Sequence, residues 1–332
     1  MRTAADRRSE RRLAVTMTVA GFGCLLAGGL LGLLTEVAFF GPYLVGLSFW
    51  AQVSGGCLAL TLIRGVAGGR WGELFSVELA AARWTWPALL VLALPLLYRA
   101  QSVYGLNQEE AVWWAARGAA YLCALAALAW MAGKRPRERW SGSGPGLVVL
   151  GLVFSLISVE WMMALTPHFH STIFPFIWFS DSMVGALALL AAVRGGGDPP
   201  GCEAGRYQFG KLLFAAVFFW GYIAISQWVI VWSADLPHEA RWYLDRTEDG
   251  WIWGTWAVAA LRFGLPFAWL LSAPVKRSPR RSARVGVLLL GSQWVASSWL
   301  VLPSLGGGIW ELGLAALFTA GMGGLWSCAW LY

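Results

Sequence analysis

The chain has 332 residues, of which 58% are hydrophobic and 13% are charged, and its net charge is +7. A soluble domain carries roughly 25% charged residues, so this composition excludes an ordinary soluble protein. Apolar runs recur about every thirty residues, which predicts an all-α integral membrane protein with about ten transmembrane helices. A β-barrel is excluded because no short alternating segments occur.

The apolar runs define ten predicted spans in chain order. Their approximate bounds are 13–34, 42–63, 78–98, 111–132, 146–165, 171–193, 209–232, 251–272, 284–303 and 309–331. Residues 1–12 are a basic cytoplasmic N-terminus, and residues 13–332 form a single polytopic membrane domain. The first run is longer than the apolar region of a signal peptide and no clear cleavage site follows it, so it is interpreted as a span.

The basic residues are distributed unevenly between the predicted loops. Most of the 25 lysines and arginines lie in loops on one side, whereas the opposite loops contain Arg99, Arg241 and Arg246. By the positive-inside rule this asymmetry places both termini in the cytoplasm. We therefore predict a multi-pass protein of the bacterial inner membrane.

The cysteines and histidines restrict the cofactors that this chain could hold. The five cysteines include no CxxC or CxxCH sequence, which excludes c-type haem attachment and the usual iron–sulfur spacings. The three histidines, His168, His170 and His238, all fall outside the predicted spans, so none is placed as an axial haem ligand within a helix. We expect no cofactor bound covalently or through metal ligation.

The polar side chains within or beside the spans are the candidates for a proton path or a quinol site. They are Glu160, His168, His170, Asp181, Lys211, Tyr222, Gln227, Arg262 and Arg117. A carboxylate in hydrocarbon costs several kcal/mol unless it is paired, protonated or facing water, so Glu160 is the most informative of them.

Two interpretations of this polar set remain open. Helical rise predicts a ladder with His168 and His170 at the outer mouth, then Glu160, then Asp181 and Arg262 at mid-depth, and Lys211 at the cytoplasmic end. In the alternative, Asp181 and Arg262 form a buried ion pair, and Glu160 is bonded to Gln227 or paired with Arg117. Depth along a helix does not fix rotation about its axis, so the sequence does not decide between them.

The longest outer loop, Asp235–Gly250, is acidic and contains several aromatic residues. It is interpreted either as solvated surface or as a docking site for an extramembrane partner. The docking candidates are Asp235, His238, Glu239 and Trp242.

Three segments carry a resemblance to a known family. The first is Val159–Ile173, which contains an acid–Trp pair, a Pro-His pair and a Ser-Thr pair. The second begins at Phe209–Phe214 and continues through Phe218–Tyr222 and Ser226-Gln227 to Leu236-Pro237. The third is the loop Gly68–Gly72. These segments resemble the ActF subunits of alternative complex III, a bacterial quinol:cytochrome c oxidoreductase, within the NrfD/polysulfide-reductase-like membrane family. Glu160 stands where that family usually has Asp, and His238 stands where it tends to have an acid.

The resemblance implies an architecture and a set of partners. The architecture is two four-helix bundles plus two flanking helices. The partners are other membrane subunits of the complex and periplasmic iron–sulfur and multihaem cytochrome c subunits. Lipid is also an expected partner, and nucleic acid is not, because the basic residues are distributed by topology.

The predicted function follows from the polar set and the resemblance together. We expect a cofactor-free membrane subunit of a respiratory quinol:cytochrome c, or other acceptor, oxidoreductase, which supplies part of the membrane arm and a proton half-path. The chain alone has no complete redox active site. The alternatives are a direct quinol-binding subunit, with quinone or quinol as its ligand, a purely structural scaffold and, more distantly, a stand-alone transporter.

Overall fold

The computed structural model describes residues 4–34, 39–134, 140–167 and 169–331, and it describes side chains from residue 15 onwards except at positions 33, 34 and 238. Within these ranges every regular element is helical. His168 and the side chain of His238 lie outside the described residues, as do Arg135, Arg137 and Arg139.

The structure confirms the all-α membrane fold and the ten predicted spans. Each helix is long and apolar enough to cross a bilayer. The helices are α1 (Ala4–Leu34), α2 (Phe40–Ala67), α3 (Ser76–Tyr98), α4 (Gln108–Gly133), α5 (Ser143–Leu165), α6 (Phe174–Val193), α7 (Glu203–Ala234), α8 (Trp251–Leu271), α9 (Pro279–Leu305) and α10 (Ile309–Leu331). The helix α1 begins before its apolar run, because the basic N-terminal segment continues the same helix.

In the described connections, four short helices identify the two ends of the molecule. Arg70–Leu74 and Ala273–Arg277 lie at one end, here called the Arg70 end. Ala100–Tyr104 and Pro237–Leu244 lie at the other, here called the Pro237 end.

The spans pack as two four-helix bundles with two flanking helices. Helices α2 to α5 form the first bundle, and α6 to α9 form the second. Helices α1 and α10 pack against each other, and α10 also packs against α2 and α3. The bundles meet where α2 contacts α6 and α9, so α2 belongs to the first bundle and also faces the second.

Glycine allows the close approach of the two bundles. A β-carbon at Gly56 of α2 would lie 2.0 Å from the carbonyl oxygen of Ser182 on α6. Any larger residue would push these helices apart, because the obstructing atom belongs to the backbone. Small residues commonly allow helices to approach closely in membranes.

Among the helices that the structure describes, two contain a π-helical turn. One is Ser158–Met162 in α5, and the other is Ala259–Gly264 in α8. Pro266 follows the second turn, and its ring and missing N–H disrupt regular α-helical bonding to the preceding turn. Such turns are frequent at functional sites. Each of these two turns contains one predicted site residue, Glu160 or Arg262.

Candidate functional site

A buried ion pair in the second bundle joins Asp181 of α6 and Arg262 of α8. One guanidinium nitrogen, Nη2, contacts the Asp181 carboxylate and also donates to the Asp181 backbone oxygen at 3.1 Å. The other, Nη1, donates to Leu289 O at 3.3 Å and Ser292 Oγ at 3.4 Å. Arg262 therefore has three acceptors besides the carboxylate.

Two glutamines extend this pair towards the first bundle. Gln52 of α2 donates through Nε2 to Asp181 Oδ2 at 3.2 Å. Gln293 of α9 donates in turn to Gln52 Oε1 at 2.9 Å. The four residues, here called the Asp181 network, connect α9, α2, α6 and α8, and all four are buried.

Gly185 makes room for the last member of the Asp181 network. A β-carbon at this position of α6 would lie 2.0 Å from Gln293 Oε1. The amide of Gln293 therefore packs directly against the backbone of α6, one helical turn from Asp181. This contact fixes the position of the amide relative to the ion pair.

A cavity of about 610 Å³, here called the bundle cavity, lies beside the Asp181 network among α6, α7, α8 and α9. This volume is within the usual range for small-molecule sites, roughly 300–1,000 Å³. Its walls are almost entirely apolar and aromatic. At mid-depth the cavity is bounded by Asp181, Trp220 and Phe263. On the side that faces the Pro237 end of the molecule, it is bounded by Tyr243 and Thr247.

Gln227 lies on the wall of the bundle cavity and not beside Glu160. Its Oε1 accepts a hydrogen bond from Ser171 Oγ at 3.3 Å. Its side chain also lies near the hydroxyl group of Tyr243, and burial raises the pKa of that hydroxyl. The predicted alternative that bonds Glu160 to Gln227 is therefore not the arrangement in the structure.

Glu160 lies in the first bundle and pairs with Arg117, as the other alternative predicted. The Glu160 carboxylate accepts from Arg117 Nε at 3.0 Å and from Tyr121 Oη at 3.2 Å. The indole of Trp114 donates to the backbone oxygen of Glu160 at 3.2 Å. The Arg117 side chain is 47% exposed and that of Glu160 is 21% exposed, so this pair lies at the edge of the bundle.

The predicted ladder is interrupted between Glu160 and Asp181. Glu160 bonds to residues of α4, whereas Asp181 bonds to residues of α2 and α8. Within the described part of the chain, no hydrogen bond joins the two groups. The depth estimates were compatible with a ladder, but the two carboxylates belong to different bundles.

The other path candidates that the structure describes lie on the periphery. Lys211 is near the Arg70 end of α7, with its ammonium 5.1 Å from the centre of the Tyr207 ring. Tyr222 is exposed on α7 and does not line the bundle cavity. His170 is exposed beside α6. His168, the predicted outer mouth, lies outside the described residues.

The docking candidates differ in their accessibility. Asp235 is exposed, with a backbone φ of 49° that ends α7, and Glu239 is half-buried. Trp242 is buried, because its ring stacks on Phe169 at 4.7 Å and packs edge-on against Trp299. Its side chain is therefore not accessible to a partner protein, and the prediction that Trp242 is a docking residue is wrong.

Arg246 is a structural residue that the sequence did not single out. Its guanidinium lies 3.6 Å from the centre of the Trp242 ring. It also donates hydrogen bonds of 2.7–3.2 Å to the backbone oxygens of Trp242, Trp299 and Leu300 and to Ser304 Oγ. Burial lowers the pKa of Arg246 to about 9, which leaves it charged at neutral pH. Arg246 thus caps carbonyls near the end of α9 and holds the loop over the bundle cavity.

Two further ion pairs stabilise the Arg70 end. Arg194 donates to Glu78 Oε1 at 2.6 Å, and Arg206 donates through Nε to Asp198 Oδ2 at 2.6 Å. The Arg206 guanidinium also packs over the rings of Phe75 and Phe209. The first pair joins α3 to α6, and the second joins α7 to the loop that precedes it. Both pairs lie away from the bundle cavity.

Sequence reasoning missed Gln52 and Tyr243 as site residues. Gln52 was detectable, since it is an amide within an apolar span, as are Gln227 and Gln293. The position of Tyr243 beside Gln227 depends on which way its side chain points, and the many other aromatic residues in this chain give the same sequence signal. Among the described residues, no group of three or more His, Cys, Asp or Glu side chains is placed to hold a metal ion.

Comparison with protein-family models finds no match to this chain, and neither does comparison with curated proteins. The family resemblance therefore stays a prediction based on the three segments that carry it.

Proposed function

We propose that this chain is a membrane subunit of a quinol-oxidising respiratory complex and that it carries protons through the second bundle. The observation that supports this role is the Asp181 network, a carboxylate buried at mid-depth beside a cavity. Intramembrane carboxylates are costly and commonly serve in proton relays. The family resemblance supplies the kind of complex, a quinol:cytochrome c or other acceptor oxidoreductase.

In the proposed mechanism, Asp181 is the group that takes up and releases the proton. Its protonation removes the negative charge opposite Arg262, whose guanidinium then keeps its bonds to Leu289 O, Ser292 Oγ and the Asp181 backbone oxygen. The cost of an unpaired buried charge is reduced by these acceptors. Gln52 and Gln293 hold the carboxylate in place in both states.

The proposal also includes a location and a set of partners. The chain would lie in a bacterial inner membrane with both termini cytoplasmic, which makes the Pro237 end periplasmic. The exposed Asp235 and the acidic residues of the loop after it would face periplasmic iron–sulfur and multihaem cytochrome c subunits. Other membrane subunits and lipid would surround the two bundles.

The test is Asp181→Asn in the assembled complex, with Glu160→Gln as the matched control. Asparagine keeps the shape of the side chain and its acceptor for Gln52 but cannot carry a proton. We expect Asp181→Asn to assemble and to lose most proton release per quinol oxidised, whereas Glu160→Gln keeps it. Normal proton release in Asp181→Asn would refute the proposal.

A purely structural role for the Asp181 network makes a different prediction. In that case Asp181→Asn would reduce the amount of assembled complex, and the complex that does assemble would have normal turnover and proton release. Measuring assembly and turnover in the same preparation therefore separates the two roles.

A further inference from the structure

Positive charges gather around the first turns of α7, at the Arg70 end. This helix has 32 residues and is about 48 Å long at ~1.5 Å per residue, which exceeds the roughly 30 Å hydrocarbon core of a bilayer. Its first turns therefore extend into the head-group region, where Lys211 is exposed. The short helix Ala273–Arg277 packs directly on these turns, because a β-carbon at Gly210 would lie 2.6 Å from Lys276 Cβ.

Two of these cations lie over one aromatic ring. The Lys211 ammonium is 5.1 Å from the centre of the Tyr207 ring, and the Arg277 guanidinium is 4.7 Å from the same centre. The Lys276 ammonium is 5.1 Å from the centre of the Phe214 ring. Tyr207, Lys211, Lys276 and Arg277 are together called the Tyr207 cluster, which α7 and the short helix build jointly.

The protein provides no carboxylate for the cations of the Tyr207 cluster. Within the described part of the chain none of them forms a salt bridge, and Glu203, one turn before Tyr207, pairs with none of them. Arg194 and Arg206, at the same end of the molecule, each have a carboxylate partner. Like charges that share one ring repel each other, so an anion placed between them would be attracted by both.

An aromatic surface continues from the Tyr207 cluster towards mid-depth. The ring of Phe267 on α8 stacks on Phe214 at 5.3 Å and on Phe263 at 5.2 Å. It also lies 6.2 Å from the ring of Phe218, which is 52% exposed on α7. Because Lys276 lies over Phe214, the charged and apolar surfaces are continuous. An anion that carries hydrocarbon chains matches this sequence of surfaces better than a free anion does.

We infer that the Tyr207 cluster binds the head group of an anionic phospholipid such as phosphatidylglycerol. The phosphate lies between the Lys211 ammonium and the Arg277 guanidinium, and an acyl chain lies along Phe214 and Phe267. Groups of basic side chains at the ends of transmembrane helices commonly bind such head groups. The bound lipid would hold the short helix Ala273–Arg277 against α7. The inference goes beyond the proposed function, because it concerns the outer surface of α7 and α8 and involves no proton transfer.

The first test is native mass spectrometry of the full-length chain in detergent with added phospholipid. We expect phosphatidylglycerol to bind at least about tenfold more tightly than phosphatidylcholine with the same acyl chains, because choline cancels the phosphate charge. Lys211→Gln combined with Arg277→Gln should weaken the binding of phosphatidylglycerol at least about tenfold.

The matched control removes the same charge from the same end of the molecule. Arg280 and Arg284 are exposed at the start of α9 and make no contact with the Tyr207 ring. Arg280→Gln combined with Arg284→Gln should therefore weaken binding less than about threefold. Helical content and elution volume of each double variant show whether it is folded.

Phosphatidylglycerol with a diazirine on one acyl chain then identifies where the bound lipid lies. Labelling of the segments around Phe214 or Phe267, with loss of labelling in the folded Lys211→Gln and Arg277→Gln double variant, supports the inference. Labelling confined to other helices would overturn it.

Three binding results would also overturn the inference. Equal weakening in the two double variants would indicate a diffuse positive field without a site. Equal affinity for phosphatidylcholine would remove the role of net charge, and displacement of the lipid by inorganic phosphate would indicate a site for free anions. None of these results changes the proton-release assay of Asp181→Asn, so the inference and the proposed function can fail separately.

Discussion

The two bundles each place an intramembrane ion pair beside a π-helical turn, but in opposite surroundings. In the first bundle, Arg117 is 47% exposed beside Glu160. In the second, Arg262 is completely buried beside Asp181, with side-chain exposures of 0% and 11%. The same chemistry is therefore peripheral in one bundle and central in the other, and sequence position alone does not separate the two cases.

This difference assigns different roles to the two carboxylates. A partly exposed pair can exchange its partners with lipid head groups or water, and it contributes little to stability. A buried pair depends on its own hydrogen bonds, and the loss of one partner leaves a charge uncompensated. The Asp181 network connects the two bundles, whereas the Glu160 pair joins two neighbouring helices of one bundle.

The largest expected effect on stability is that of Arg262→Ala. Removal of the guanidinium leaves Asp181 buried without its countercharge, which costs about 3–5 kcal/mol. The matched change Arg117→Ala should cost about 0–1 kcal/mol. Thermal unfolding of both variants in the same detergent measures the difference, and equal losses would show that the two pairs are equivalent.

A smaller effect is expected from Gly185→Ala. The added methyl group would lie 2.0 Å from Gln293 Oε1, so the amide or the helix must move. Overpacking of this kind costs about 1–3 kcal/mol. Gly291→Ala is the control because a β-carbon there meets nothing within 4 Å, and it should be at least as stable as wild type.

Gln52→Leu tests the link between the bundles. The substitution leaves one Asp181 oxygen without its amide donor and leaves Gln293 without its acceptor, which should cost about 1–3 kcal/mol. The stability of the variant is measured by the same unfolding assay. A stability equal to wild type would mean that the glutamines do not contribute to holding Asp181.

The smallest effect is expected in the first bundle, from Tyr121→Phe. This change removes one hydrogen bond to Glu160, which is also paired with Arg117, and it should cost about 0.5 kcal/mol. A loss as large as that of Gln52→Leu would contradict the peripheral role of the Glu160 pair.

The sequence predicts the fold well and the site only in part. The ten spans follow from the length of each apolar run, which the thickness of the bilayer determines. Asp181 and Arg262 are predicted as neighbours in one of two interpretations, because both are charged and at the same depth. The pairing of Glu160 with Arg117 is predicted in one of the alternatives, but the separation of Glu160 from Asp181 is not.

The missing information is rotation about the helix axes. Each residue of an α-helix advances about 100° around the axis, and a π-turn changes that register locally. Glu160 and Arg262 both lie in such turns, so a regular helix gives the wrong direction for their side chains. The bundle cavity is also not predictable from the sequence, because its walls come from aromatic residues on four spans and on the loop between α7 and α8.

Redox-induced infrared difference spectroscopy of the assembled complex tests most directly whether Asp181 carries a proton. On quinol oxidation we expect a carboxylic acid band to change, to disappear in Asp181→Asn and to persist in Glu160→Gln. A band that survives in Asp181→Asn and disappears in Glu160→Gln would contradict the assignment and return the proton-carrying role to the first bundle.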